Sequence, residues 1–385
     1  MANTITNLLK DAFTALEIVS REMAGIIPAV TRDQKIEAAA KDVVIRNPVA
    51  PKATTFTITP SMTPIANTDL TFTNRTITLD TLKGAIFHFD SEEEMGLRAS
   101  DPTFDTLFQQ NIAQAFRAHI ADISNALTAL FFNSSRAFGT AGTTPFASDL
   151  DALSAAKTML DVNGAPETDR HFIASHAAAN SLLNNTQLTD ANRSGGTAGL
   201  RQGSVGNVYN FDVRIEDKIK THTVGTSTGQ DANGGEAIGA TSITYDGGDG
   251  GTILKGDTFI PVADVSGPEG GTSHYVVNTA ITAASGEIAI NSPGLLATLV
   301  DTTELTLGAT NYVANLAFSR DALVLGSRPP QGGDAAIDEQ IISDPLTGLA
   351  FRLAEYRGHH TKNFEVSVLY GVGLGNPEHM VTIFG

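Results

Sequence analysis

Cysteine is absent from the 385 residues, so disulfide frameworks, thiolate zinc sites, iron–sulfur clusters and cysteine nucleophiles are excluded by composition. Cations are scarce: 25 Lys and Arg stand against 42 Asp and Glu, a formal charge of −17, which excludes a sequence-independent grip on a phosphate backbone. Charge of either sign is thin, at 17% of residues against roughly 25% in an average globular protein. Ser, Thr, Asn and Gly must therefore cover much of the surface. Long apolar runs are missing too, and no stretch approaches the roughly 18 residues a bilayer-spanning helix needs. What is present is 41% hydrophobic, enough for at least one large core in a chain long enough for about two to three structural units.

The first apolar residues, Ile5, Leu8, Leu9, Ala12, Phe13, Leu16 and Val19, recur at helical spacing and are interrupted by Lys10, Asp11 and Glu17. This is an amphipathic helix rather than a signal-peptide core, closed by Pro28, and it implies synthesis in the cytoplasm. From 43 to 90, Pro48, Pro51, Pro60 and Pro64 punctuate β-branched stretches at 54–59, 70–77 and 85–89. They read as extended hairpin arms rather than a core sheet, because proline cannot serve a central ladder. Asp101 and Pro102 then cap the strongest local signal: Phe104, Leu107, Phe108, Ile112, Ala115, Phe116, Ile120, Ile123, Leu127, Leu130 and Phe131 share one stripe, a helix running to about residue 133.

Residues 149–215 alternate helical (151–160, 177–183) and strand-like (170–174) pieces, an α/β mixture, and 184–199 reads as a loop. Between 222 and 311 the composition changes: one cation, Lys255, faces ten acids, and about 16 of the 36 glycines separate short strands. Such a turn-rich pattern fits a small β-barrel or sandwich inserted into a parent domain. The mixed pattern resumes at 314–318 and 322–325, and the chain ends in strands at 364–370 and 380–384.

Chemistry is harder to find. His359 and His360 lie near Glu355 without the spacing that puts two imidazoles on one helical face, so they read as solvated or interface histidines. His171 with Asp169, and His176 with Ser175, are fragments of a triad with no Ser in a nucleophile elbow. Gly371, Gly373 and Gly375 follow a strand but leave no room for a phosphate-binding helix, and read as a turn into the last strand. Asp231, Asn233 and Gly235 open like a calcium loop, yet the twelfth position is Ser242 where a bidentate Glu is needed. No catalytic residue, cofactor or metal ligand is expected, and the chain reads as a non-enzyme. What remains are a nearly cationless β insertion, one very long helix, and extended arms with an amphipathic terminal helix, whose apolar faces a compact domain cannot cover. Self-assembly follows as the expectation.

Specific stretches carry a resemblance. They are Met1-Ala2-Asn3-Thr4, Ser20-Arg21-Glu22 with Ile27-Pro28-Ala29-Val30, Ser135-Arg136-Ala137-Phe138-Gly139-Thr140 with Pro145-Phe146, and Asn163-Gly164-Ala165-Pro166 with Asp169-Arg170-His171. They continue with Gly203-Ser204-Val205-Gly206, Leu254-Lys255-Gly256-Asp257, Phe318-Ser319-Arg320-Asp321-Ala322 and Asn376-Pro377-Glu378-His379. In their order and spacing these resemble the major capsid (coat) proteins of tailed bacteriophages, in the coat family of the short-tailed phage P-twenty-two.

The resemblance implies the α+β Hong Kong ninety-seven capsid fold with an inserted all-β domain. It divides the chain into an N-terminal arm (1–47), an extended loop and peripheral domain with the spine helix (48–148), a first axial part (149–221), the inserted β-barrel-like domain (222–311), a second axial part (312–360) and C-terminal strands (361–385). It further implies hexamers and pentamers of an icosahedral shell around packaged double-stranded DNA that is not bound sequence-specifically. Assembly would occur in the host cytoplasm, with a scaffolding protein and a portal protein as partners and no membrane. Within that reading Asp246 and Asp249 are expected to meet cations of an adjacent capsomer, and Asp11, Glu17 and Glu22 to receive a basic scaffolding protein. The alternative is a secreted β-rich adhesin or surface-layer-like protein, which should carry a secretion signal.

Overall fold

The computed structural model describes residues 25–34, 37–49, 55, 57, 58, 60, 72–98, 103–189, 206–261, 273–332, 336–343 and 347–385. The N-terminal helix, with Asp11, Glu17 and Glu22, lies outside the described residues, as does Pro102. The described chain starts in the interior: Ile26, Ile27, Ala29 and Val30 are buried around a 3-10 turn, Ile27–Ala29.

Strand β1 (Thr31–Gln34) leads to β2 (Val43–Val49) and β3 (Thr73–Leu79), which pair antiparallel from Val43 opposite Leu79 to Val49 opposite Thr73. This is a two-stranded ribbon, and Pro48 sits in it opposite Asn74, a place where proline's missing N–H is tolerated. Strand β4 (Thr81–Asp90) corrects the expectation of an arm at 85–89. It pairs along its whole length with the C-terminal strand Thr361–Leu374 in a six-stranded sheet. The proline argument does not reach this far, and simple alternation sets the strand's faces. Ala85, Phe87 and Phe89 pack inward, while Leu82 and Ile86 are 51% and 67% exposed.

Helices α1 (Ser91–Arg98) and α2 (Thr103–Thr128) follow. From Phe108 onward the stripe is buried as its spacing requires: Phe108, Ile112, Ala115, Phe116, Ile120, Ile123 and Leu127 all join the main core. The helix stops short of residue 133 and tightens into a 3-10 segment, Ala129–Asn133. Side-chain bonds drive this: Asn133 Nδ2 donates to the Leu130 carbonyl at 3.1 Å and Ser134 Oγ to that of Phe131 at 2.7 Å, an i to i+3 pattern.

Strand β5 (Arg136–Phe138), α3 (Asp151–Val162), β6 (Arg170–Ala174) and α4 (His176–Asn184), whose Ser175 cap accepts from the Ala178 N–H, realise the mixed segment. One helical turn, α5 (Thr186–Thr189), stands in the expected loop, started by Asn185 Oδ1 accepting from Gln187 N at 2.9 Å. Short strands β7 (Asn207–Val208), β8 (Phe211–Ile215) and β9 (Thr221–His222) come next. The acidic segment supplies β10 (Gln230–Ala232), β11 (Ser242–Asp246), β12 (Thr252–Ile253), β13 (Thr258–Pro261), β14 (Ser273–Val276), β15 (Ile281–Thr282), β16 (Gly286–Ala289) and β17 (Glu304–Leu307). The chain closes with β18 (Tyr312–Ser319), β19 (Leu323–Arg328), β20 (Asp338–Ser343), β21 (Ala350–Arg357), β22 (Thr361–Leu374) and β23 (Met380–Phe384).

In the first sheet β1, β19, β22, β21 and β20 are neighbours in that order and β4 lies on the other side of β22. Helix α2 lies across this sheet, where Phe108, Phe87 and Phe364 meet with centroids 4.8 to 5.6 Å apart. The second sheet runs from β7 and β8 through β6, β18, β23 and β5 to β14. There it passes into antiparallel neighbours β13, β17, β10, β11 and β16. A bridge between Val277 and Ile290 brings the end of β16 back to β14, so these six strands run round a ring.

The ring has its own core, with Ile243, Tyr245, Phe259, Tyr275, Ile288 and Leu305 inside. The sheets divide the C-terminal third differently from the boundary drawn at 360: β18 belongs to the second sheet, whereas β19 to β22 belong with β4 and α2 in the first. Gly371 and Gly373 correct a second reading, since both lie inside β22 rather than in a turn.

Candidate assembly surfaces

The β2–β3 ribbon leaves apolar side chains uncovered. Its root turns Ile77 and Leu79 inward, 8% and 0% exposed, with Val43 on that same face at 40%, while Val44 faces out at 42% and Phe72, just before β3, is 62% exposed. The strand period of two requires this split, because one face of the ribbon lies on the sheet and the other has nothing above it among the described residues. Arg75 reaches from β3 to Asn376 Oδ1 at 3.2 Å, tying the ribbon to the turn before β23. That turn is stiffened by His379, whose Nδ1 lies 2.8 Å from Asp321 Oδ2. The His379 ring beside it helps hold the Asp321 carboxyl below its ordinary range, against the opposing effect of burial.

The acidic residues of the ring separate into two kinds. Asp249 works inside its own turn, accepting from Thr228 N and Oγ1, Ser227 Oγ and Gly251 N at 3.0 to 3.2 Å. The Gly251 and Thr228 N–H groups hold its carboxyl down at about 2. Asp246 is exposed at the end of β11. It stands opposite Asp231, which in turn stands opposite Glu304. Three carboxylates therefore form a row across adjacent strands, an arrangement that costs stability in isolation. Sequence spacing could not pair residues 231, 246 and 304, since strand register alone aligns them.

Two buried acids join the parts. Asp257, at the start of the ring's β13, receives His222 Nε2 at 2.7 Å together with the Gly225 and Leu254 N–H groups. The His222 ring packs against Phe131 at the end of the α2 segment and against Tyr312 of β18. Beside them Asn291 Nδ2 donates to the carbonyls of Phe132 and Ser134 at 2.7 and 2.9 Å, so the ring grips the carbonyl end of the long helix. Glu216 accepts from Ile26 N at 3.0 Å, pinning the point where the described chain begins. Burial pushes its carboxyl up, opposed by the N–H groups of Ile26, Lys218 and Asp217.

The candidate catalytic fragments stay apart. His171 has Asp212 at 3.5 Å as its ion-pair neighbour while Asp169 lies near Arg320, and burial pushes its imidazole down. His176 lies 3.6 Å from Asp217, and His359 and His360 are exposed, with their rings 4.6 Å apart. Among the described residues no group of three or more His, Asp or Glu is placed to hold a metal, and no helix is long and apolar enough to cross a membrane. An open cleft between the 139–149 loop and α3 is lined mainly by hydroxyls and small side chains, including Thr140, Thr143, Ser154 and Thr158.

No family model matches the chain, and no curated protein does. Among solved structures it is similar to one titled Mycobacterium phage Che8, at 13% identity over 88% of this chain and 84% of that one, with a TM-score of 0.44. It is also similar to the capsid of the cyanophage P-SCSP1u, at 13% identity over 92% and 86%, TM-score 0.45. The mature capsid of bacteriophage PhiM1 matches at 12% identity over 91% and 87%, TM-score 0.47.

Proposed function

We propose that this chain is the structural subunit of an icosahedral shell: a tailed-phage type of major capsid protein with the Hong Kong ninety-seven fold, in the coat family of phage P-twenty-two. It would build hexamers and pentamers around packaged double-stranded DNA. The observation that carries this reading is the β2–β3 ribbon, a two-stranded element with Val43, Val44 and Phe72 uncovered. Such a hairpin is marginal on its own, and the apolar side chains it leaves exposed are completed by a neighbour. The ordered residue matches along the chain support the family, and the charge of −17 supports a wall that encloses DNA without gripping it. Many symmetric contacts per subunit let individually weak interfaces sum to a stable particle.

Within this proposal Asp246, at one end of the row that Asp231 and Glu304 continue, meets cations of an adjacent capsomer, and Asp11, Glu17 and Glu22 receive the scaffolding protein. A portal protein occupies one vertex, the site of action is the virion capsid, and the role involves no catalysis. Sedimentation velocity and negative-stain microscopy of the purified chain, with and without a scaffolding protein, test it. Closed particles are the expected result, and a chain that stays monomeric under every condition refutes it.

A further inference from the structure

The first sheet contains glycines where strands ordinarily carry side chains. Gly326 of β19 and Gly371 of β22 are directly opposite each other in register, and Gly373 lies two residues further along β22, opposite Val324. None of the three has a positive φ, so the backbone does not require glycine at any of them. Closeness does. A Cβ on Gly371 would fall inside the van der Waals sphere of the Thr78 carbonyl oxygen, 2.9 Å from its carbon and 3.2 Å from Leu79 Cα. On Gly326 it would meet Leu79 Cδ2 at 2.9 Å and Ile45 Cδ1 at 3.2 Å, and on Gly373 it would meet Ile77 Cγ1 at 3.0 Å. Both strands of the ribbon therefore lie on a patch of bare backbone, and at Gly371 main chain meets main chain.

We infer that Gly326, Gly371 and Gly373 form a side-chain-free seat that fixes the direction in which the β2–β3 ribbon leaves the sheet. A flexible side chain between ribbon and sheet would let the ribbon settle at several heights, whereas backbone against backbone has one closest approach. Arg75, bonded to Asn376, is a second fixed point further out along β3. Between these two points the ribbon root behaves as a rigid lever. Adding one methyl at Gly371 must lift Thr78 by about 1 Å to reach ordinary contact, and the ribbon continues about 17 Å beyond it. The consequence for assembly rests on the shell reading above: a redirected ribbon would present its outer face to the neighbouring copy at the wrong angle.

The chain's lack of cysteine permits a direct measurement of the seat that needs no assembly. Spin labels on Asn74→Cys in β3 and His88→Cys in β4, both exposed positions, report the ribbon-to-sheet distance by pulsed electron resonance. In the otherwise wild-type chain the distribution should be narrow, and Gly371→Ala should shift or broaden it by about 1 Å, the lift that ordinary contact demands. Ile45→Ala, which removes the contact over Gly326 without adding bulk, should broaden it as well and serves if Gly371→Ala does not fold.

Unchanged distributions in the variants that fold overturn the inference. In the assembly arm, folded Gly371→Ala or Ile45→Ala should raise the concentration needed to form particles by about tenfold or give particles of altered diameter. If wild type never assembles, the shell reading fails while the distance result still decides the seat. If wild type assembles and both variants do so identically, the seat does not control the ribbon.

Discussion

The buried imidazole of His274 predicts a specific acid weakness at the junction between ring and main sheet. His274 lies in β14 opposite Ala137 of β5, with its ring edge-on to Phe384 at 5.0 Å and a buried Nδ1 that has no hydrogen-bond partner. Burial pushes its pKa down from 6.5 to about 4. The folded state therefore favours the neutral ring, and the unfolded chain binds the extra proton. Stability is then fully present above about pH 6.5 and is lost as pH falls from there towards 4, with no further loss below.

Between pH 7 and pH 4.5 the difference amounts to about 2 kcal/mol, approaching about 3 kcal/mol at the acid limit. His274→Phe, which keeps an aromatic edge against Phe384, should remove this part of the acid limb. Urea unfolding of the unassembled chain at the two pH values, followed by far-ultraviolet circular dichroism because the protein has no tryptophan, measures it. An equal loss in wild type and His274→Phe would refute the reasoning.

Phe364→Ala, at the centre of the Phe87, Phe108 and Phe364 contact, should cost about 3 to 5 kcal/mol in the same unfolding assay. Glu216→Gln should raise the thermal midpoint at pH 7. Its raised pKa means that the folded state favours the protonated acid, so wild type loses stability as pH rises through that value and the variant does not. Protection of the Ile26 amide in hydrogen exchange should persist in the variant, because the amide oxygen can still accept. Asp246→Lys should leave the isolated chain as stable as wild type or more so, by relieving a like-charge row worth about 0.2 to 1 kcal/mol per pair, while reducing shell yield. Asp249→Lys should lower the thermal midpoint of the isolated chain, because that carboxylate holds its own turn. The opposite ordering of midpoints would exchange the two roles.

Much of this fold was legible because periodicity and composition report local demands. The stripe from Phe108 to Leu127 had one partner surface and was buried as spaced. The acidic, glycine-rich segment formed short strands at the places where turns allow them. The misreadings arose where distant residues decide. Strand β4 reads with the arms because prolines earlier in the chain colour its neighbourhood, whereas its partner lies nearly 280 residues away in β22. Gly371 and Gly373 read as a turn because glycine usually marks one, and only the ribbon above them explains their place inside a strand. The acid row of Asp231, Asp246 and Glu304 depends on register, and no spacing rule aligns positions that far apart. Glu216 and Asp257 leave no mark in a side-chain pattern, because their partners are main-chain N–H groups and, for Asp257, a histidine 35 residues away.

The hold that Asn291 takes on the Phe132 and Ser134 carbonyls, with His222 wedged against Phe131, gives the long helix a fixed coupling instead of a free end. The ring and the end of the helix are thereby keyed to one another, so that reorienting one without the other would break these contacts.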